Sequence, residues 1–262
     1  MSSTAFVKTG APAGALAAEA AGLRWLAEAG GAAVCGVREV RADALVLDRV
    51  QQVRPDTTAA ERFGRDLAAT HAAGAARFGA PPPGVDGDAW IAALPLPMTT
   101  GDAGDAGDVD WGTFYAEQRL RPYLRRARDA GDLEAGDVAV FEQVCDRLLA
   151  QDPALVVGAG RPARLHGDLW SGNVLWSAGG AVLIDPAAHG GHPETDLAML
   201  ALFGLPHLET VLAAYTEAAG TPDGWRDRVP LHQLHPLLVH TVLFGGGYAG
   251  QAVRAARRTL EL

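Results

Sequence analysis

The chain has 262 residues, 48% hydrophobic and 20% charged, a balance that suits one large domain or two lobes and excludes a disordered tail or a fibrous repeat. Lys and Arg number 22 against 31 Asp and Glu, a formal net charge of −9, which is the wrong sign for a surface that must neutralise nucleic-acid phosphates. No apolar run reaches the ~18 residues of a membrane helix. The Ala-rich stretch after Lys8 is broken by Glu19 before it could act as a signal core, and the two distant cysteines, Cys35 and Cys145, read as reduced core residues. A cytoplasmic monomer with neither nucleic-acid nor membrane partners is expected.

Along the chain, residues 4–8 alternate as a strand, and residues 12–29 carry Leu16, Ala20, Leu23 and Leu26 at helical spacing. Two β-rich runs, 34–40 and 44–50, flank Arg41-Ala42-Asp43 and predict an antiparallel hairpin. These pieces make a small β-rich lobe over residues 1–53. From Pro55-Asp56 onward the pattern turns helical, over 57–75 with Asp56 as its cap, 111–130, 134–150 and 195–203, so residues 54–262 form a second, mainly helical lobe. The stretch 78–110 holds Pro81-Pro82-Pro83 and a tandem Gly-Asp tract from Gly101 to Asp108. It predicts a loop, and the tract lacks the Gly and Glu positions of a calcium-binding EF-hand.

Lys8 is the only lysine and Asn173 the only asparagine. In a chain this rich in Ala, Gly and Arg, as a GC-rich coding sequence would give, residues that survive once are candidates for chemistry. A flexible ammonium and a neutral carboxamide are what Arg and Asp cannot copy. The run from Leu165 to Trp176 reads Leu-His-Gly-Asp-Leu-Trp-Ser-Gly-Asn-Val-Leu-Trp, and Asp185-Pro186 follows a second short strand. A hairpin there lets Asp168, Asn173 and Asp185 converge. Such a set suits phosphoryl transfer, in which one carboxylate takes the proton of an attacking hydroxyl while an Asn and an Asp hold Mg²⁺ on the nucleotide phosphates.

With these residues in view, the chain resembles the fructosamine kinase (ketosamine 3-kinase) family of the protein-kinase-like, aminoglycoside-phosphotransferase-like fold. The resemblance runs through Phe6-Val7-Lys8 with Glu19, His166 to Asn173, Asp185-Pro186-Ala187, Gly191 to Met199, and Leu243 to Tyr248. It implies an α+β, two-lobed architecture and ATP-dependent phosphorylation of a sugar hydroxyl on a small-molecule or protein-borne ketosamine. Asp168 would be the catalytic base, Asn173 and Asp185 the Mg²⁺ ligands, and Lys8 the phosphate ligand oriented by Glu19. The backbone of Asp48-Arg49-Val50 would meet the adenine edge. Trp170 offers a flat face to a sugar, or fills the core. His192 and Glu194 line the substrate cleft or only cap a helix, and Asp196 braces the catalytic loop. The alternatives are an aminoglycoside- or choline-type phosphotransferase and a weakly active kinase-like binding protein. Kinases of this fold place two strands and a Gly-rich turn ahead of the lysine strand, whereas seven residues without glycine precede Lys8, which implies a small lobe lacking that phosphate lid.

Two further patterns are discounted. His232, His235 and His240 lie on a helical Leu-rich pattern with no Cys or carboxylate to complete a metal site. Gly245 to Gly250 fits G-x-G-x-x-G but follows a helix and lacks a βαβ unit, so close helix packing is expected instead.

Overall fold

The computed structural model describes residues 4–12, 14–100 and 109–262. The Gly101–Asp108 tract therefore lies outside the described residues. A three-stranded antiparallel sheet opens the chain, built from β1 (Ala5–Thr9), β3 (Val37–Val40) and β4 (Ala44–Asp48) in the order β1-β4-β3. Lys8 pairs with Leu45 across it. Helix α1 (Ala15–Glu28) crosses this sheet and buries Leu16, Ala20 and Leu23 against Cys35, Leu45 and Leu47, the face its periodicity predicts. Both cysteines are buried and free. The short β2 (Ala33–Val34) pairs in parallel with β9 (Gly180–Leu183), so one ladder ties the small lobe to the hairpin that follows the central motif.

The large lobe holds α2 (Thr57–Ala72), α3 (Trp111–Phe114), a π-helical turn (Tyr115–Leu120), α4 (Arg121–Asp129) and α5 (Ala135–Leu149). Asp56 caps α2, accepting from Ala59 N at 2.8 Å, as its sequence position predicts. Next come β7 (Ala163–Leu165), the β8 (Val174–Ser177)–β9 hairpin, β10 (His189–Gly191), α6 (Glu194–Leu202), α7 (Leu208–Ala219), α8 (Val229–His232), α9 (Leu234–Phe244) and α10 (Gly247–Thr259). Its main core joins Trp111, Phe114, Tyr123 and Phe141 to Leu234, Leu237 and Leu238.

Two expectations are corrected here. The predicted loop at 78–110 contains a two-stranded sheet, β5 (Ala89–Ile91) and β6 (Leu94–Leu96), whose buried Ala89, Ile91 and Leu96 join the main core. The glycine run beginning at Gly245 is not a helix-packing contact. Gly245 and Gly246 take positive φ values of 62° and 52° and break α9 from α10, a conformation that favours glycine.

Candidate active site

Four elements meet around a cleft of about 540 Å³ lined by Lys8, Glu19, Asp168, Trp170, Asn173 and Asp185. Lys8 leaves β1 and meets Glu19 of α1, with Nζ 2.6 Å from Oε2 and 3.1 Å from Asp185 Oδ1. Burial works against the ammonium, but the hydrogen bond and charge of Glu19, then Asp185, hold its pKa above the ordinary lysine value. Strand and helix thus deliver one cation, fixed by one carboxylate and in contact with a second.

The loop that carries Asp168 is held through its backbone. Asp196, in the first turn of α6, accepts from His166 N at 2.8 Å and Gly167 N at 3.0 Å, and its Oδ2 lies 3.1 Å from His71 Nε2. Burial opposes the Asp196 carboxylate, yet His71 and His166 bring its pKa below the ordinary value. The brace expected of Asp196 is therefore present. Gly167 has φ +80°, and a Cβ there would come within 2.1 Å of Ala187 O, so only glycine permits the loop to pass. Asn173 Nδ2 donates to Asp168 O at 2.8 Å and to Asp168 Oδ2 at 3.1 Å. Burial pushes Asp168 up to about 6, against that hydrogen bond, with the nearby Asp185 and Asp196 adding to the rise. A carboxyl with this value switches near the pH at which a general base works best. Asp185 sits at φ 52°, a left-handed conformation uncommon outside glycine and typical of strained functional positions. Its side chain stays 41% exposed.

Trp170 is 39% exposed and lines the cleft, its ring edge-on to Phe203 at 5.9 Å. It is no core aromatic. His240, Phe244 and Tyr248 continue an aromatic rim beyond Phe203, with His240 5.1 Å from Phe203 and 5.0 Å from Tyr248 between ring centroids. The sequence pattern at α9 pointed only to core and surface histidines. Phe244, 67% exposed, is the signal it missed, a large apolar residue placed just before a glycine break.

Five expected positions do not line this cleft. Asp48, Arg49 and Val50 line a separate groove of about 450 Å³. Asp48 N donates to Gly36 O and Arg49 N to Thr4 O, while Asp48 O accepts from Cys35 Sγ, so the first two residues spend backbone groups inside the small lobe. His192 and Glu194 do not line the substrate cleft either. They are 1% and 2% exposed, since His192 caps the start of α6 through Nδ1 and meets Val157 O through Nε2, while Glu194 takes Arg228 on both oxygens at 2.5 and 3.0 Å.

His232 does find a carboxylate, contrary to the sequence pattern, because α8 folds back to place Nε2 3.3 Å from Glu194 Oε2. His192, Glu194 and His232 together resemble a metal trio. However, Arg228 already occupies the carboxylate and His192 has both ring nitrogens engaged, so the donors are not available to a cation.

The chain has a two-lobed, protein-kinase-like fold. A family model described as fructosamine kinase matches residues 2–262, and the chain belongs to that family. It is 35% identical over 182 residues to a Klebsiella aerogenes protein assigned as a ketoamine kinase, covering 68% of this chain and 57% of the relative. It is 36% identical over 149 residues to a Mus musculus ketosamine-3-kinase, covering 56% and 46% of the two chains. The match thus spans about half the length of these relatives. A solved structure assigned as a fructosamine-3-kinase from Thermobifida fusca superposes with a TM-score of 0.89 at 49% identity, over 98% of this chain and 86% of that one.

Proposed function

We propose that this protein transfers the γ-phosphoryl group of ATP to a sugar hydroxyl of a ketosamine. The observation that carries the reading is the meeting, in one cleft, of the Glu19-held ammonium of Lys8, the carboxylate of Asp185, and Asp168 with its Asn173 partner. Lys8 binds the nucleotide phosphates as a point charge and Glu19 keeps it from collapsing fully onto Asp185. Asn173 directs its amide N–H groups at Asp168, leaving its carbonyl oxygen as a hard donor, and Asp185 supplies a partly exposed carboxylate. This donor set fits Mg²⁺, which would neutralise phosphate charge when bound.

Asp168 accepts the proton of the attacking hydroxyl, and Asn173 fixes the rotamer in which it does so. On the acceptor side the described lining includes Trp90, Trp170, Met199, Val239, Leu243 and Phe244. That wall suits a sugar with a single amine substituent better than the polycation of an aminoglycoside, which would call for further carboxylates. The test is ³¹P NMR of the purified protein with MgATP and fructosyl-lysine. A new phosphomonoester on the sugar is expected, whereas ATP hydrolysis without sugar phosphate, or transfer to an aminoglycoside in preference, overturns the reading.

A further inference from the structure

Behind the catalytic loop, four buried side-chain nitrogens that have no hydrogen-bond partner among the described residues belong to residues around one small cavity: Trp111 Nε1, Arg119 Nε, Arg119 Nη2 and His235 Nε2. The cavity measures about 10 Å³, enough for a single atom-sized guest. Arg119 is 1% exposed and belongs to the π-helical turn, a local widening often found at functional sites. Its Nη1 donates to Pro97 O at 2.7 Å and Gln118 O at 3.1 Å, and the guanidinium stacks 4.6 Å from the Phe114 ring centroid. Those contacts leave the other two nitrogens without a partner among the described residues. Among the described residues no carboxylate lies within ion-pair distance of Arg119. The acid that reaches it through space is Asp88, on the exposed β5 approach. The neighbouring histidines supply no negative charge.

Trp and Arg N–H groups only donate, so the guest must accept. A buried cation without a counter-charge is costly, and a water molecule would satisfy the N–H groups while leaving the charge. We propose that this cavity binds one halide-sized anion, chloride under ordinary conditions, with Arg119 as its counter-ion and Trp111 and His235 as further donors. Leu165 and Thr195 form part of the same wall. They immediately precede His166 and Asp196, so an anion here would stiffen the frame on which the catalytic loop is hung. The inference stands on the large-lobe core and is independent of the kinase reading.

Crystals of the full chain grown with sodium bromide in place of chloride test it directly. A bromine anomalous peak beside Arg119 is expected. A peak there without anomalous signal identifies water and overturns the proposal. In solution the Tm should rise saturably with potassium chloride over potassium gluconate at matched ionic strength, by about 3–5 °C per tenfold chloride above Kd. Arg119→Met should abolish that difference, and if this variant does not fold, the bromide crystals and the wild-type salt comparison decide alone. Equal Tm in the two salts counts against the site.

Discussion

Two acidic side chains of this molecule, Asp168 and Glu194, are both largely removed from water, and the fold treats them in opposite ways. Asp168 has one amide N–H from Asn173, and its pKa is pushed up to about 6. Burial would raise Glu194 as well, but His232 and Arg228 bring it down to about 2. The carboxylate whose burial is left under-compensated is the one that can change its protonation state. The over-compensated one is a fixed strut at the root of α6. Motif spacing offered both as candidate site residues, and the balance of desolvation against partners separates them.

The sharpest way to break the comparison is to neutralise each acid without changing its shape. Asp168→Asn is expected to lower kcat/KM by ~10²- to 10⁴-fold, the usual reach of general acid–base catalysis, while Tm stays level or rises slightly. Wild-type-like turnover in a coupled assay would end Asp168's role as base. Glu194→Gln should do the reverse. It strands the Arg228 guanidinium beside a neutral amide, at a cost of ~3–5 kcal/mol in urea denaturation, with kcat per folded molecule retained. A large kcat loss at unchanged stability would move Glu194 back into the chemistry.

The same contrast should appear on the pH axis. Asp168 is raised from an ordinary 3.8 to about 6, so the free enzyme should lose kcat/KM as pH falls through about 6. Its ionisation above that pH costs the fold stability rather than adding to it. Glu194 is lowered from 4.5 to about 2, so its contribution is complete above about 4.5 and fades as pH falls from there towards 2. Activity should therefore disappear at a pH where Tm is still high. Coincident activity and stability profiles would show that unfolding, and not the base, sets the acid limb.

Next in size is Lys8→Ala, which removes a charge-assisted phosphate contact of about 1.5–3 kcal/mol and should weaken nucleotide binding by about 10- to 100-fold in calorimetry. Glu19→Gln, which leaves the ammonium but loosens its anchor, should weaken binding less. If both variants bind ATP as the wild type does, Lys8 is not the phosphate ligand.

What the sequence made legible follows from range. Lys8 and Glu19 lie on consecutive elements, and Asp168, Asn173 and Asp185 on one motif and the hairpin after it, so local periodicity carried them into place. The β5–β6 ribbon was hidden because each strand is three residues long and its turn runs through Ala92 at φ 50°, without the Gly or Asn that normally marks such a turn. The burial of His192 and Glu194 depended on Arg228 and His232, residues from another part of the chain. Their types alone suited a cleft equally well. The backbone pairing of Asp48 and Arg49 was hidden for a related reason: which groups a strand end has left to offer depends on pairings with Gly36 and Thr4 that no motif records.

The smallest effect concerns the rim, where an exposed apolar residue adds to neither the catalytic centre nor the core. Phe244 is 67% exposed, touches His240 and Tyr248 at ring-centroid distances of 5.7 and 6.1 Å, and lines the cleft. Leaving so large a ring in water gains nothing for folding, so Phe244→Ala should leave Tm unchanged within about 0.5 kcal/mol of stability. If the ring instead covers the amine-bearing end of the acceptor, its loss removes an aromatic contact of about 0.5–1.5 kcal/mol. KM for fructosyl-lysine should then rise by about 2- to 12-fold, with kcat and the KM for ATP unchanged. A rise in both KM values would place Phe244 on the nucleotide side. A drop in Tm would make it a packing residue, and the rim would then carry no specificity at that position.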